Sequence, residues 1–212
     1  MRFHQPLNHI LDHEVKIRAL RFLCRRGGQW NGRRLAAELH INPTTMHKAL
    51  RELREATVLD FQKVGNNFVY SLADDHYLVR EILRPAFRRE AQGLARLASM
   101  VRQALGPALH TSVVTAALYG SVVRRQERPT SDVDVLLLVR SPQAKRDVQR
   151  VLNQHWPILA RRFGNSLAPY INTVREAQQK RRRGMRLFHE ILKTHQVLWG
   201  TPLAEVLRGR PT

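Results

Sequence analysis

"LYGSVVRRQERPTSDVDVLLLV", residues 118–139, places two like charges together immediately ahead of an apolar run. The residues before Gly120-Ser121 are β-branched and apolar, and "SDVDVLLLV" reads as a second buried strand. Strand side chains alternate, so Asp132 and Asp134 project from one face with Val133 on the other. At two residues' separation their Cα atoms lie ~6.6 Å apart. Two carboxylates that close repel and disfavour folding unless something offsets their charge. A divalent cation removes the penalty, and an oxygen-only pair suits Mg²⁺ carrying nucleotide phosphates.

At these residues the chain resembles the minimal nucleotidyltransferases of the DNA polymerase beta superfamily. Gly120-Ser121 is followed by ten residues and then Asp132-Val133-Asp134-Val135, and "RPTSDVD" matches Arg-Pro-x-Ser-Asp-x-Asp. The likeness spans roughly residues 86–200, where "HEILKTHQVLWGTPLAEVL" looks like the helix, short strand and glycine that close such domains. It implies Asp132 and Asp134 as catalytic metal ligands. It also implies Gly120, Ser121, Arg124, Arg128 and Ser131 as the nucleotide-binding set. Gly120 would allow close backbone approach to a triphosphate, Ser121 would add a hydroxyl donor, and the two arginines would pair with phosphate. The implied cofactors are Mg²⁺ and an NTP, with ATP favoured as donor or ligand.

Two departures stand out. Relatives of this kind carry a third carboxylate on a neighbouring strand, yet the expected strand, "SLAPYINT" at residues 166–173, contains none. Glu176 is the nearest acid, at the expected start of the next helix. Arg125 stands where a glycine is usual.

Working toward the N-terminus, apolar spacing predicts helices over residues 13–26 and 32–39 and a third that starts at Pro43 and carries Met46, Leu50 and Leu53 on one face. Asn42 is expected as an N-cap with Pro43 at the first helical position. Two strands, 58–64 and 68–73, follow around Gly65-Asn66-Asn67. Residues 13–74 thereby resemble the winged helix-turn-helix domains of bacterial and archaeal regulators. The resemblance implies Thr44, Thr45, His47, Lys48 and Arg51 on a DNA-facing helix, with Lys63, Asn66 and Asn67 on the wing. A winged helix used for protein contacts is the rival. Asp74-Asp75 is expected to cap a further helix, and Pro85 to kink or divide it.

The expected fold is therefore α/β (α+β): a winged helix over 1–78, then a nucleotidyltransferase domain with a small mixed sheet over 79–212. A helix over about 76–105 would link them.

The charge balance agrees with a polyanionic partner. Lys and Arg number 36 against 17 Asp and Glu, a net charge of +19. Cys24 is the only cysteine, which excludes an intrachain disulfide or thiolate zinc site and fits a reducing cytoplasm. It reads as a small core residue rather than a nucleophile. No stretch approaches the ~20 apolar residues of a membrane span, and the first residues lack a signal peptide's apolar run. "KRRR" at 180–183 could grip a triphosphate or nucleic acid, or simply be a solvated helix face. His9 and His13 have zinc-compatible spacing but no third ligand. Trp30, Trp156 and Trp199 read as core or interface residues.

The favoured function is Mg²⁺-dependent transfer of a nucleoside monophosphate from an NTP to an acceptor, with the first domain on DNA. A non-enzymatic regulator that binds DNA and senses nucleotide is the first alternative. A toxin–antitoxin or defence component modifying a protein or RNA is the second. A homodimer fits paired half-sites on DNA.

Overall fold

The computed structural model describes residues 3–65 and 67–208. It divides into two compact units, Met1–Gly93 and Leu94–Thr212. The division falls later than the 78/79 boundary read from sequence. Leu78, Val79, Leu83 and Phe87 are buried in the core of the first unit, so the chain beyond residue 78 stays with it.

In the first unit α1 (Glu14–Arg26) begins at His13, whose imidazole accepts the Val15 N–H and so takes the capping role. Strand β1 (Trp30–Asn31) leads to α2 (Gly32–Glu38), and α3 (Pro43–Glu55) follows. Asn42 caps α3 by accepting the Thr44 N–H at 2.9 Å, as its position suggested. Met46, Ala49, Leu50 and Leu53 recur at helical spacing and are buried against α1 and α2. Strands β2 (Leu59–Val64) and β3 (Asn67–Leu72) pair antiparallel, and β1 adds to β3, giving the order β1-β3-β2. Lys16 is buried beneath this core. Its ammonium donates to the His9 carbonyl at 3.0 Å and pairs with Asp12 at 2.9 Å and Glu52 at 2.7 Å.

Asp74-Asp75 does not cap a helix. The two residues lie in a turn, Asp74 pairs with Arg84, and it is the His76 imidazole that accepts the Leu78 N–H at the start of the π-helical turn Leu78–Leu83. Pro85 sits in the first turn of α4 (Arg84–Ala91), where its missing N–H is tolerated. The backbone stays helical through Leu83 and Arg84, so at Pro85 the segment passes from π-helical to α-helical hydrogen bonding rather than breaking.

The second unit opens with α5 (Gly93–Ser112), broken at Gly106, whose φ is 67°. Then come β4 (Val113–Tyr119), the single turn α6 (Gly120–Val123), β5 (Val133–Val139), α7 (Pro142–Phe163) and β6 (Leu167–Thr173). Helices α8 (Val174–Arg182) and α9 (Arg186–Lys193), strand β7 (Gln196–Gly200) and α10 (Leu203–Arg208) complete it. The sheet runs β6-β5-β4-β7; β5 and β6 are parallel, joined through α7, and the other pairs are antiparallel. Strand β5 is apolar throughout after Asp134 because both its faces are covered. Val133, Val135, Leu137 and Val139 pack with α5 and α7. Leu136 and Leu138 pack with α8, α9 and α10. Asp134 belongs to this second face, one step from the edge where the helices cover it.

Candidate active site at the start of strand β5

Tyr119, the last residue of β4, is the register partner of Asp134. Directly after it Gly120 adopts φ 76°, a left-handed conformation, and the Asp134 carboxylate lies against its Cα. A Cβ at Gly120 would collide with Asp134 Oδ2, so both the dihedral and the space demand glycine. The sequence reading expected close backbone approach to a phosphate here. The observed close approach is to a carboxylate.

Asp134 is half-buried and Asp132, just before the strand, is exposed. Burial pushes the Asp134 carboxyl above its ordinary value, Asp132 pushes it further, and Arg124 offsets part of this. Among the described residues neither carboxylate takes a hydrogen bond or an ion pair. Among the described residues only Arg124 offsets part of their charge, without an ion pair, which leaves the electrostatic condition that a hard cation with oxygen preference would satisfy. The donor set fits such a cation, though it numbers two carboxylates. No group of three or more His, Cys, Asp and Glu side chains with ligating potential occurs among the described residues.

The connecting segment is held largely by its own backbone. Arg124 N donates to Gly120 O at 3.3 Å, Arg125 N to Val122 O at 3.2 Å, and Gln126 N to Ser121 O at 3.0 Å. Arg125 is left-handed at φ 55°, a conformation glycine adopts without strain. Ser131 closes a turn: its Oγ accepts from Arg128 N at 2.9 Å and its own N–H donates to Arg128 O at 2.9 Å. Asn165 Nδ2 then ties that turn to the start of β6, donating to Pro129 O at 3.1 Å and Ser131 O at 3.0 Å. Arg124 and Arg128 are exposed and Ser121 is half-buried. The structure thus brings Gly120, Ser121, Arg124, Asp132 and Asp134 into one corner. Ser131 and Arg128 shape the loop that leads there.

Strand β6 explains what became of the third acid. Ala168 is the register partner of Asp134, with Tyr170 beside Leu136 and Asn172 beside Leu138. The Lys180 ammonium, on α8, donates to Asn172 Oδ1 at 2.6 Å and to the Tyr170 hydroxyl at 3.0 Å. Burial, with Asp134 and Tyr170 nearby, pushes the Tyr119 phenol up to about 12. Glu176 is at the start of α8 as expected, but it is committed there. It shares a capping box with Thr173 and pairs with Lys145 at 2.8 Å, which holds its carboxyl below the ordinary value. Tyr119, Tyr170, Asn172 and Asn165 escaped the sequence reading because single polar letters carry no signal before the strands are aligned.

On the first unit Thr44, Thr45, His47, Lys48 and Arg51 are all exposed on α3, and Lys63 and Asn67 are exposed on the hairpin. Asn66 lies outside the described residues. The His47 ring packs over the start of α2, where a Cβ at Gly32 would meet it at 2.7 Å. Arg51 stands 4.0 Å from Glu55. Cys24 is partly buried and its thiol is pushed up to about 11, which suits an inert packing residue. Trp199 is buried and Trp30 donates to Gly27 O, in keeping with core positions. No helix among the described residues is long and apolar enough to cross a membrane.

Residues 99–197 match the family model described as a nucleotidyltransferase domain. That match covers β4, β5, β6 and the acid pair, and the C-terminal part of the chain carries a nucleotidyltransferase domain. Among curated proteins and among solved structures no significant match was found.

Proposed function

We propose that the second unit transfers a nucleoside monophosphate from an NTP, ATP first, to an acceptor. The observation that carries this is an acid pair with no ion-pair or hydrogen-bond partner among the described residues, with the Asp134 carboxylate seated against a left-handed Gly120, inside a stretch matching nucleotidyltransferase domains. Asp132 and Asp134 would hold Mg²⁺, which when bound supplies charge neutralisation for the triphosphate. The chain's own part is to position. Asp134 is fixed by its strand and by Gly120, and Arg124 adds positive charge beside it. Ser121 has a hydroxyl free to donate. In the transfer an acceptor oxygen forms a bond to the α-phosphorus, the bond to the β-phosphate oxygen breaks, and pyrophosphate leaves. With Ala168 beside Asp134, the acceptor's proton passes to solvent or to the acceptor's own groups rather than to an acid of β6.

For the first unit we propose a winged helix on duplex DNA, read by Thr44, Thr45, His47, Lys48 and Arg51 of α3 and by Lys63, Asn66 and Asn67 of the wing. The exposed polar side of α3, opposite its buried Met46, Leu50 and Leu53, supports that reading. The acid-free β6 favours a second reading, a DNA-binding regulator that holds nucleotide without fast turnover. Incubation with Mg²⁺ and α-labelled NTPs, alongside RNA, DNA and protein acceptors, separates the two. Label transfer that disappears in Asp132→Ala and Asp134→Ala establishes the transferase. Nucleotide binding and DNA binding with no transfer establish the regulator.

A further inference from the structure

Apart from Lys63, which the duplex reading already uses, the hairpin of the first unit carries a surface which that reading leaves unused. Leu59 and Leu72, then Phe61 and Tyr70, then Lys63 and Phe68, are register partners across β2 and β3. Partners across an antiparallel pair share a face, so all six side chains project from the same side. Leu59, Leu72 and Tyr70 are buried in the core. Past them the hairpin overhangs, and Phe61 and Phe68 are left 46% and 49% exposed. Their ring centres lie 5.9 Å apart, tilted by 48°. The Arg54 guanidinium stands over the Phe61 ring at 4.6 Å. Neither Arg54 nor Lys63 has a carboxylate within ion-pair distance among the described residues. Asp60 alternates to the other face, opposite Ser71.

Two adjacent half-exposed rings, one of them with Arg54 over a face, bordered by two cations without an ion pair and by no acid of β2 or β3 on that side, match one partner chemistry. Exposed aromatics offer stacking surfaces to π-faced bases, and cations beside them neutralise phosphates. Bases in a duplex are already stacked on each other, so such rings act on unpaired ones. We propose that the Phe61–Phe68 ledge, with Arg54 and Lys63, binds single-stranded nucleic acid by stacking on its bases. This extends the nucleic-acid reading of the first unit and rests on it only in requiring a polyanionic partner.

The full chain is titrated, by fluorescence anisotropy, into labelled twelve-residue oligothymidylate, oligouridylate and a duplex of mixed sequence. Base stacking on an aromatic side chain is worth roughly a 5-fold to 100-fold change in affinity per ring. Phe61→Leu and Phe68→Leu keep the apolar bulk and remove the π-face, so each should weaken single-strand binding by about that factor while duplex binding stays within about 2-fold. Phe61→Trp should retain it. Thermal melts of each variant establish that the unit is folded. Binding of either oligonucleotide type supports the proposal, and their ratio shows whether the 2′-hydroxyl contributes. Leucine variants that bind as wild type overturn it, as does parallel loss of single-strand and duplex binding. A wild-type chain that binds duplex but no single strand overturns the ledge alone, whereas one that binds neither overturns the DNA reading as well. Sedimentation covers the remaining occupant: a dimer that Phe61→Leu converts to monomer would make the ledge a contact between copies and refute the proposal.

Discussion

Replacing Asp134 by Asn should make the metal-free protein more stable while abolishing transfer. The side chain keeps its shape beside Gly120 but loses the charge that burial and Asp132 oppose. Two unit charges set at the ~6.6 Å expected between the two Cα atoms would repel by about 0.6 kcal/mol at the dielectric of water and by about 2.5 kcal/mol at an effective value of 20, which brackets this half-exposed corner. Each kcal/mol moves the melting point by about 2–4 °C in a chain of this size. The pH dependence has a fixed sign. The carboxyl is raised in the folded state, so the folded chain holds its proton more tightly than the unfolded chain. Ionised Asp134 therefore subtracts stability, and the loss sets in as pH rises from the ordinary 3.8 through the higher folded value. The advantage of Asp134→Asn should be full at neutral pH and vanish in acid. With Mg²⁺ and a non-hydrolysable NTP at tenfold over the dissociation constant, wild type should gain about 1.4 kcal/mol and the variant far less. Differential scanning fluorimetry with and without ligand reads all of this. A metal-free Asp134→Asn protein that melts below wild type would refute the reasoning, because the carboxylate would then be a structural anchor.

Gly120→Ala should destabilise the second unit by about 2 kcal/mol or more and remove transfer, since a methyl there meets the Asp134 carboxylate at a left-handed φ; urea titration measures it. Arg125→Gly should be neutral or stabilise by up to about 1 kcal/mol, as relief of the left-handed strain is partly offset by chain entropy. Asn165→Ala should reduce transfer with a small stability cost of about 1 kcal/mol, because the turn preceding Asp132 loses both its anchors. Asp12 and Glu52 are held below their ordinary 3.8 and 4.5 by Lys16, so the stability they add is present above those values and lost as pH falls through their folded ones. Lys16→Met should flatten that acid limb, measured as melting point against pH.

Local signals carried much of this architecture. Asn42-Pro43, the 3.6-residue spacing of Met46, Leu50 and Leu53, and the apolar run after Asp134 each follow from backbone chemistry within a few residues. The acid pair drew attention because two like charges beside an apolar run demand an explanation, although strand β5 starts at Val133 and leaves Asp132 just outside it. What escaped the sequence depends on distant partners. The two-residue β1 exists only through Trp30 and Asn31 pairing with Tyr70 and Val69. The residues after 78 keep helical periodicity whichever core they join, so periodicity could not place the division at Gly93. Asp74-Asp75 had the right letters for a cap, but Arg84 offered Asp74 an ion pair instead. The linkage of Lys180 to Tyr170 and Asn172 needed the β5–β6 register before it had any meaning.

Mn²⁺ binding followed by electron paramagnetic resonance, with a non-hydrolysable NTP present, addresses the acid pair itself. The account requires a bound signal in wild type that is lost in the Asp132→Ala, Asp134→Ala double variant while circular dichroism stays unchanged. Equal Mn²⁺ binding by the folded double variant would contradict it.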